Sequence, residues 1–235
     1  LPYSSAMLLP NDKVLLQQSR PTHPDGANQT RATTGYLLRK GGSFDVKHYQ
    51  DVWAGFVGVV LYRSVEALLN YMEASYEKNG TLDGTAREYW QIIRRRAHVN
   101  EDIDVTIATT DMAKEAENDW GAYSAGKILT DKTLYNIRRE RMNELFSEGQ
   151  RFADLIRWRS FDRMITAKWI PEGVNFWDNL YLLYDADIKA DGTSDAVVSG
   201  KEQGKYLRPY SRNLESSNEL RDGYNWHEAY YLYPI

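Results

Sequence analysis

Cysteine is missing from all 235 residues of the chain. That one absence removes disulfide frameworks, thiolate zinc sites, iron–sulfur clusters and cysteine nucleophiles together. Long apolar runs are missing as well. The longest, Trp53 to Tyr62, is ten residues with two glycines in it, about half of the roughly 20 that a membrane-spanning helix needs. A basic excess is also lacking. Lys and Arg number 29 against 33 Asp and Glu, a net charge of −4, which speaks against a nucleic-acid partner. Histidine is scarce, and His23, His48, His98 and His227 are too far apart to pair along one helix. Surface histidines are therefore expected, not a metal site. The sequence opens on Leu1, with no initiator methionine or signal segment, and closes on the apolar string Tyr230-Tyr231-Leu232-Tyr233-Pro234-Ile235. Such ends are expected of a piece of a longer chain.

What the chain does have is a globular balance, 42% hydrophobic and 26% charged, at a length that can bury its own core. It also carries 17 tyrosines and 7 tryptophans, side chains with one flat apolar face and one polar edge. Over the first fifty residues turn chemistry dominates, with Pro2, Pro10, Pro21, Pro24, Asp25-Gly26 and Thr33-Thr34-Gly35. Helical periodicity starts near Val59. Leu61, Val65, Leu68, Leu69 and Met72 follow the i, i+3, i+4, i+7 template as far as Lys78, and Asn79-Gly80 offers the left-handed C-cap. Asp83 caps a second predicted helix, Gly84 to about Ala97, with Ala86, Tyr89, Trp90 and Ile93 inward. So short a turn predicts an antiparallel αα-hairpin. The pair, about residues 59–97, is close in length to one tetratricopeptide repeat, and no second copy follows at that period.

Residues 98–130 are ambiguous: Val105-Thr106-Ile107 fits a short strand, and Thr110 to Trp120 fits a helix. Charged helices are predicted over about 131–164. The first starts at the N-cap Asp131 and runs to Glu148 with Leu134, Ile137, Leu145 and Phe146 inward. Gly149 breaks it, and helix resumes from Gln150 to about Met164. After that the period disappears, and 165–235 reads as a loop-rich tail crowded with aromatics. The expected fold class is mainly α, with long irregular loops and few short strands.

Several fragments imitate enzyme signatures and fail. Gly121-Ala-Tyr-Ser-Ala-Gly126-Lys127 has the glycine and lysine spacing of a phosphate-cradling loop. Ile128 follows, however, where a Ser or Thr must ligate magnesium, and no apolar strand precedes it. Tyr123 and Lys127 have the spacing of short-chain dehydrogenases without the glycine-rich strand–helix turn that binds a dinucleotide. There is no Gly-x-Ser-x-Gly elbow. Asp185, Asp187, Asp191 and Asp195 crowd a turn-rich loop in a spacing that departs from the calcium-loop pattern. A solvated loop is the expectation there, with calcium left open. Nothing singles out a carboxylate pair for sugar hydrolysis, since their separation of about 5–9 Å is set by the fold. The chain is thus not expected to be an enzyme, and no cofactor or metal is implied.

The charged segment carries more information. Glu140, Glu144 and Glu148 recur at i, i+4, i+8, which sets them in one carboxylate row, and Arg151, Asp154 and Arg157 recur at i, i+3, i+6 with alternating sign. If Gly149 turns the chain, the two rows face each other across the corner. Paired in this way they hold helices in one register, and they add specificity more reliably than net stability. An anion- or sugar-binding cluster is the functional alternative.

Glu140-Arg141…Glu144-Leu145…Glu148-Gly149…Arg151…Asp154-Leu155-Ile156-Arg157-Trp158 closely resembles the signature of the SusD/RagB family, surface nutrient-binding lipoproteins of Bacteroidetes. Four further blocks, in the family's order, extend the resemblance. Thr34-Gly35-Tyr36 through Lys40 is similar to "T-G-Y-x-x-x-K". Arg63-Ser64-Val65-Glu66-Ala67-Leu68-Leu69-Asn70-Tyr71-Met72-Glu73-Ala74 is similar to "R-x-x-E-x-L-L-x-x-A-E-A", with Met72 where alanine is usual. Ile93-Arg94-Arg95-Arg96-Ala97 belongs to a stretch similar to "I-N-x-V-R-x-R-A", which departs from it at Gln91 and His98. Tyr231-Leu232-Tyr233-Pro234-Ile235 is similar to "Y-L-x-P-I". The resemblance implies the C-terminal half of such a protein, with the N-terminal half absent, built on tetratricopeptide-like helix pairs. It also implies a lipoprotein on the outer face of the outer membrane that caps a SusC-like TonB-dependent transporter and delivers oligosaccharide to it. Membrane contact is then through an N-terminal lipid anchor absent from this chain.

Glycan binding needs exposed flat aromatics beside polar groups. Trp169, Trp177, Tyr181 and Tyr184, with Asp178 and Asn179 adjoining, are the candidates in the tail. The competing reading is that these aromatics pin loops onto the helical layer. Trp90 and Trp158 lie on helix faces and belong to the core. The second functional reading is a helical-repeat module that binds protein or peptide, as in oligopeptide importers.

Overall fold

Apolar residues spaced three and four apart from Val65 onward need a partner surface, and the computed structural model of the chain shows where they find it. It describes residues 6–8, 14–17, 34, 36, 40, 60–179, 182, 201, 204–208 and 222–232. In chain order the elements are β1 (Ala6–Leu8), β2 (Val14–Gln17), α1 (Ser64–Asn79), α2 (Gly84–Arg96), α3 (Ile103–Thr109), α4 (Met112–Asn118), β3 (Tyr123–Ser124), β4 (Lys127–Ile128), α5 (Lys132–Glu144), α6 (Arg151–Arg157) and α7 (Arg163–Thr166). The fold is mainly helical. Two units make it up, one of Leu1–Val57 with Lys168–Asn225 and one of Gly58–Ala167 with Trp226–Ile235. Among the described residues no helix is long and apolar enough to cross a membrane.

The helical unit follows the sequence periodicity closely. Val65, Leu69 and Met72 of α1 bury against Ala86, Trp90 and Ile93 of α2, with Ile103, Ile137 and Leu145 completing the cluster. Four of the helix starts share one chemistry. The carboxylates of Asp83, Asp102, Asp111 and Asp131 accept from backbone N–H groups of the first turns of α2, α3, α4 and α5, which are otherwise unsatisfied. Gly80 closes α1 at φ 68° and donates its N–H to the Tyr76 carbonyl.

Four expectations are corrected. Helix α1 begins at Ser64 and not near Val59. Arg63 is extended there (φ −120°), and Leu61 is 80% exposed. Val105-Thr106-Ile107 lies in helix α3, not in a strand. The Asp102 cap and the packing of Ile103 and Ile107 on the core outweigh the β-branched composition. Helix α5 stops at Glu144, so Phe146 falls in the turn beyond it and is 60% exposed rather than inward. The third segment is broken into α6, a 3₁₀ turn at Ser160–Asp162, and α7. The glycine-rich stretch around Gly121 is a β-hairpin: Tyr123 pairs with Ile128 and Ser124 with Lys127. Ala125 and Gly126 turn it at φ 48° and 74°, the sign that tight hairpin turns require.

The charged segment ties α1, α5 and α6 together, by a pairing the rows alone do not give. Across the corner at Gly149, the Nε of buried Arg141 donates to both Asp154 oxygens at 2.9 and 2.8 Å, while its Nη1 donates to Asn70 of α1 at 2.7 Å. Asp154 also accepts from Arg157 Nε at 2.9 Å. Both Nη groups of Arg157 then reach Glu73 of α1, at 2.7 and 2.6 Å, and Trp158 Nε1 donates to the same carboxylate at 2.5 Å. The glutamate row turns toward the hairpin. Glu144 accepts from Arg63 and Arg96, Glu148 from Arg63, and Glu140 from Trp90 Nε1 at 2.8 Å. Arg151 bonds Asp119. The rows diverge because residues outside the segment, Arg63, Glu73, Trp90, Arg96 and Asp119, supply most of their partners.

Burial leaves its mark on this set. It raises the Glu140 carboxyl above its usual range, despite the Trp90 bond, and pulls the Arg138 guanidinium down to about 10, against the pull of Glu73 and Glu77. At Glu73 burial alone would raise the carboxyl, but the donors from Arg157 and Trp158 outweigh it, so it titrates below the ordinary glutamate value. A depressed folded-state value contributes stability at neutral pH that is lost as the pH falls through it. Urea denaturation at a series of pH values should therefore show stability dropping below pH 4.5, with a shallower drop in Glu73→Gln. An unchanged slope in the variant would remove Glu73 from this role. Asp131→Ala should cost about 1–2 kcal/mol at the start of α5 and Asp131→Asn much less, read in the same denaturation experiment.

Candidate functional site

Outside the helical unit the described backbone is held by short pairings. Gly173 N–H donates to the Leu207 carbonyl at 2.7 Å, and Leu207 N–H to Val174 at 3.0 Å. The N–H groups of Phe176 and Trp177 donate to Lys205 at 2.9 and 3.0 Å. These bonds gather Val174, Phe176, Trp177 and Leu207 into a buried group, with Phe176 and Trp177 edge to face at 4.8 Å. Trp177 is 2% exposed, so its ring faces are covered by the protein's own residues. The need for an open ring is not met there, and loop anchoring describes its position better.

Trp169 is different. It is 41% exposed and bridges antiparallel to Tyr224. Trp169 N–H donates to the Tyr224 carbonyl at 2.9 Å and Tyr224 N–H to the Trp169 carbonyl at 2.8 Å. The two rings lie 5.8 Å apart, inclined by 33°. Gly223 makes this approach possible. Its φ is +99°, and a Cβ there would sit 2.9 Å from Lys168 Cβ and from Ile170 Cγ1, closer than real side chains pack.

Lys168, Asp222 and Asn225, close to the two positions in sequence, are exposed. A pair of aromatic rings inclined to each other and fixed by main-chain bonds suits a ligand with one apolar face and a hydroxylated edge. Of the other candidates, Asp178 is exposed and accepts from Asn175 Nδ2 at 2.7 Å, and the exposed Asn179 accepts at its carbonyl from Leu182 N–H at 3.2 Å. Tyr181, Tyr184 and the Asp185–Asp195 loop lie outside the described residues. Sequence reasoning singled out Trp169 and missed Tyr224, because nothing in a linear reading joins positions so far apart. The Asp222-Gly223 turn pair was the one local hint.

The aromatics of the tail's end have another role. In the helical unit Trp226 stacks on Phe161 at 4.6 Å and meets Phe152, Tyr230 and Tyr231 edge-on, while Arg159 lies over the Tyr231 ring at 4.9 Å. These contacts dock the 3₁₀ turn Glu228–Leu232 beside α6. In this stretch the tyrosine and tryptophan load serves packing.

Gly223→Ala should break the bridge. Hydrogen exchange at the Trp169 and Tyr224 amides, slow in the parent chain, should quicken in the variant; equal rates would mean the glycine is dispensable.

A sequence model described as the SusD family matches residues 13–235 of the chain. No curated protein and no solved structure matches it.

Proposed function

The chain belongs to the SusD family, and on that footing we propose that it captures oligosaccharide for a SusC-type, TonB-dependent uptake system and does no chemistry on it. Members of the family bind nutrients, are associated with the cell surface and are not typically enzymes. The finer reading is of an outer-membrane lipoprotein whose ligand is a glycan, and whose partner is a transporter barrel that receives it. One observation supports it most directly: the ring of exposed Trp169 beside that of half-buried Tyr224, set by a two-bond bridge. A sugar ring presents C–H groups on one face and hydroxyls at its rim, so two inclined aromatic faces can hold the first and neighbouring polar groups the second. Pre-fixed rings lose little conformational freedom on binding, which favours affinity from a small contact area. The reading needs no buried nucleophile and no perturbed acid–base pair in the site.

Titrating a panel of glycan oligosaccharides and of short peptides while following tryptophan fluorescence tests this. Some oligosaccharide should saturate the signal. Trp169→Ala should weaken that binding at least about tenfold, the loss expected when an aromatic anchor worth about 1.4 kcal/mol or more is removed. Saturation by peptides alone would replace the glycan with an oligopeptide, and equal affinity in Trp169→Ala would discard the platform.

A further inference from the structure

The helical unit contains a hollow, open to solvent, of about 370 Å³, within the range of small-ligand sites, which begins near 300 Å³. Tyr76 of α1, Leu82 in the turn that follows, Arg87 of α2, Asp104 and Ile107 of α3, and Thr133 of α5 line it. The lining is mixed. Leu82, Ile107 and the Tyr76 ring are its apolar part, and Thr133, Arg87 and Asp104 its polar part. Helices fix most of these positions, and two hydrogen-bonding arrangements hold the polar groups further. Tyr76 donates its hydroxyl to the Asp131 carboxylate at 3.0 and 2.8 Å. Arg87 Nη1 donates to both Asp104 oxygens at 3.1 and 3.0 Å.

The chemistry of that lining selects a ligand class. The two charged side chains of the lining neutralise each other, so an anion or a cation meets no uncompensated partner among them, the Lys132 ammonium being directed at the Ala108 carbonyl at 3.4 Å. A zwitterion would have to split the Arg87–Asp104 pair. A neutral ring with neighbouring hydroxyls leaves the pair whole: one hydroxyl accepts from a guanidinium N–H not spent on Asp104, and the next donates to a remaining carboxylate lone pair. Its C–H face then rests against Leu82, Ile107 and Tyr76. The volume suits one such ring with its water and not a long chain.

We infer that this hollow is a second, self-contained site for a single neutral sugar of hexose size. It uses none of the residues of the Trp169–Tyr224 pair, and its ligand class follows from its own lining, so it stands apart from the glycan-capture reading above.

Saturation-transfer NMR on the full chain tests it, with D-glucose, D-galactose and D-mannose as probes and glycine and acetate as the charged controls. At least one hexose should give a saturable signal at millimolar concentration. That affinity should fall at least about tenfold in Arg87→Ala, which removes the donor fork, and in Ala108→Phe, which fills the hollow from α3. It should persist in Trp169→Ala. Should Ala108→Phe fail to unfold cooperatively like the parent, Arg87→Ala decides alone, since its side chain is well exposed and its loss leaves the core intact. The inference is overturned by a hexose signal indifferent to both variants, by one lost in Trp169→Ala, by glycine or acetate saturating where no hexose does, or by no saturable hexose signal. Loss in Trp169→Ala alone would leave the platform reading standing, and loss in Arg87→Ala alone would leave this one.

Discussion

The carboxylate of Glu73 is the point on which the helical unit turns. It sits buried on α1 and receives three donors from α6 and the residue after it: two from Arg157 and one from Trp158. Arg157 passes the connection to Asp154, and Asp154 to Arg141 on α5. Glu73, Asp154 and Arg141 are each costly to bury alone and tolerable only beside a partner, while Arg157 reaches the two carboxylates from the surface. The apolar cluster around Met72 and Trp90 draws the helices together without caring much about rotation. The charge series does care, because a bidentate pair is satisfied in one register and broken in the next. Removing Arg157 or Arg141 leaves a buried carboxylate, Glu73 or Asp154, short of a donor where water reaches poorly.

The helical unit and the rest of the chain solve the burial of polar groups by different means. In the first, aspartates at helix starts and a lattice of arginine and carboxylate do most of the work. The second uses main-chain pairing: Gly173 through Trp177 against Lys205 and Leu207, and Trp169 against Tyr224. Tryptophan follows the same division. Trp90 and Trp158 spend their indole N–H groups on Glu140 and Glu73, Trp177 is enclosed beside Phe176, and Trp169 keeps much of its surface in solvent. A heavy aromatic composition is thus several structural uses added together, with ligand contact proposed for a small part of it.

Local chemistry was the legible part. The Asp83 and Asp131 caps, the Gly80 stop and the inward Ala86, Trp90 and Ile93 could be read from spacing, because each depends on neighbours within one or two turns. Where tertiary contact outvotes local preference, the reading failed. Val105 to Ile107 is β-branched and helical, since its flanks are capped and packed. Leu61 continues the helical period in sequence, yet Arg63 ahead of α1 is committed to Glu144 and Glu148 and the backbone there is extended. The glutamate and arginine rows were both visible, but many of their partners (Arg63, Glu73, Trp90, Arg96 and Asp119) lay outside the segment, and no period in one segment reports on another. At the candidate site the same limit separates Trp169, which could be named, from Tyr224, which could not. It also hid the difference in burial between Trp169 and Trp177, two tryptophans in similar company along the chain.

The bridge between Trp169 and Tyr224 is made of backbone atoms, and this has a consequence for descent. Its two hydrogen bonds do not depend on which side chains the two positions carry, whereas the glycine beside them is fixed by close contact. Position and identity are therefore inherited separately: the place of the proposed platform can be kept while the groups it presents are exchanged. A lineage that keeps Gly223 can try new ring pairs, or none, at these two positions without first rebuilding a scaffold. The chemistry of that surface can then drift faster than its architecture.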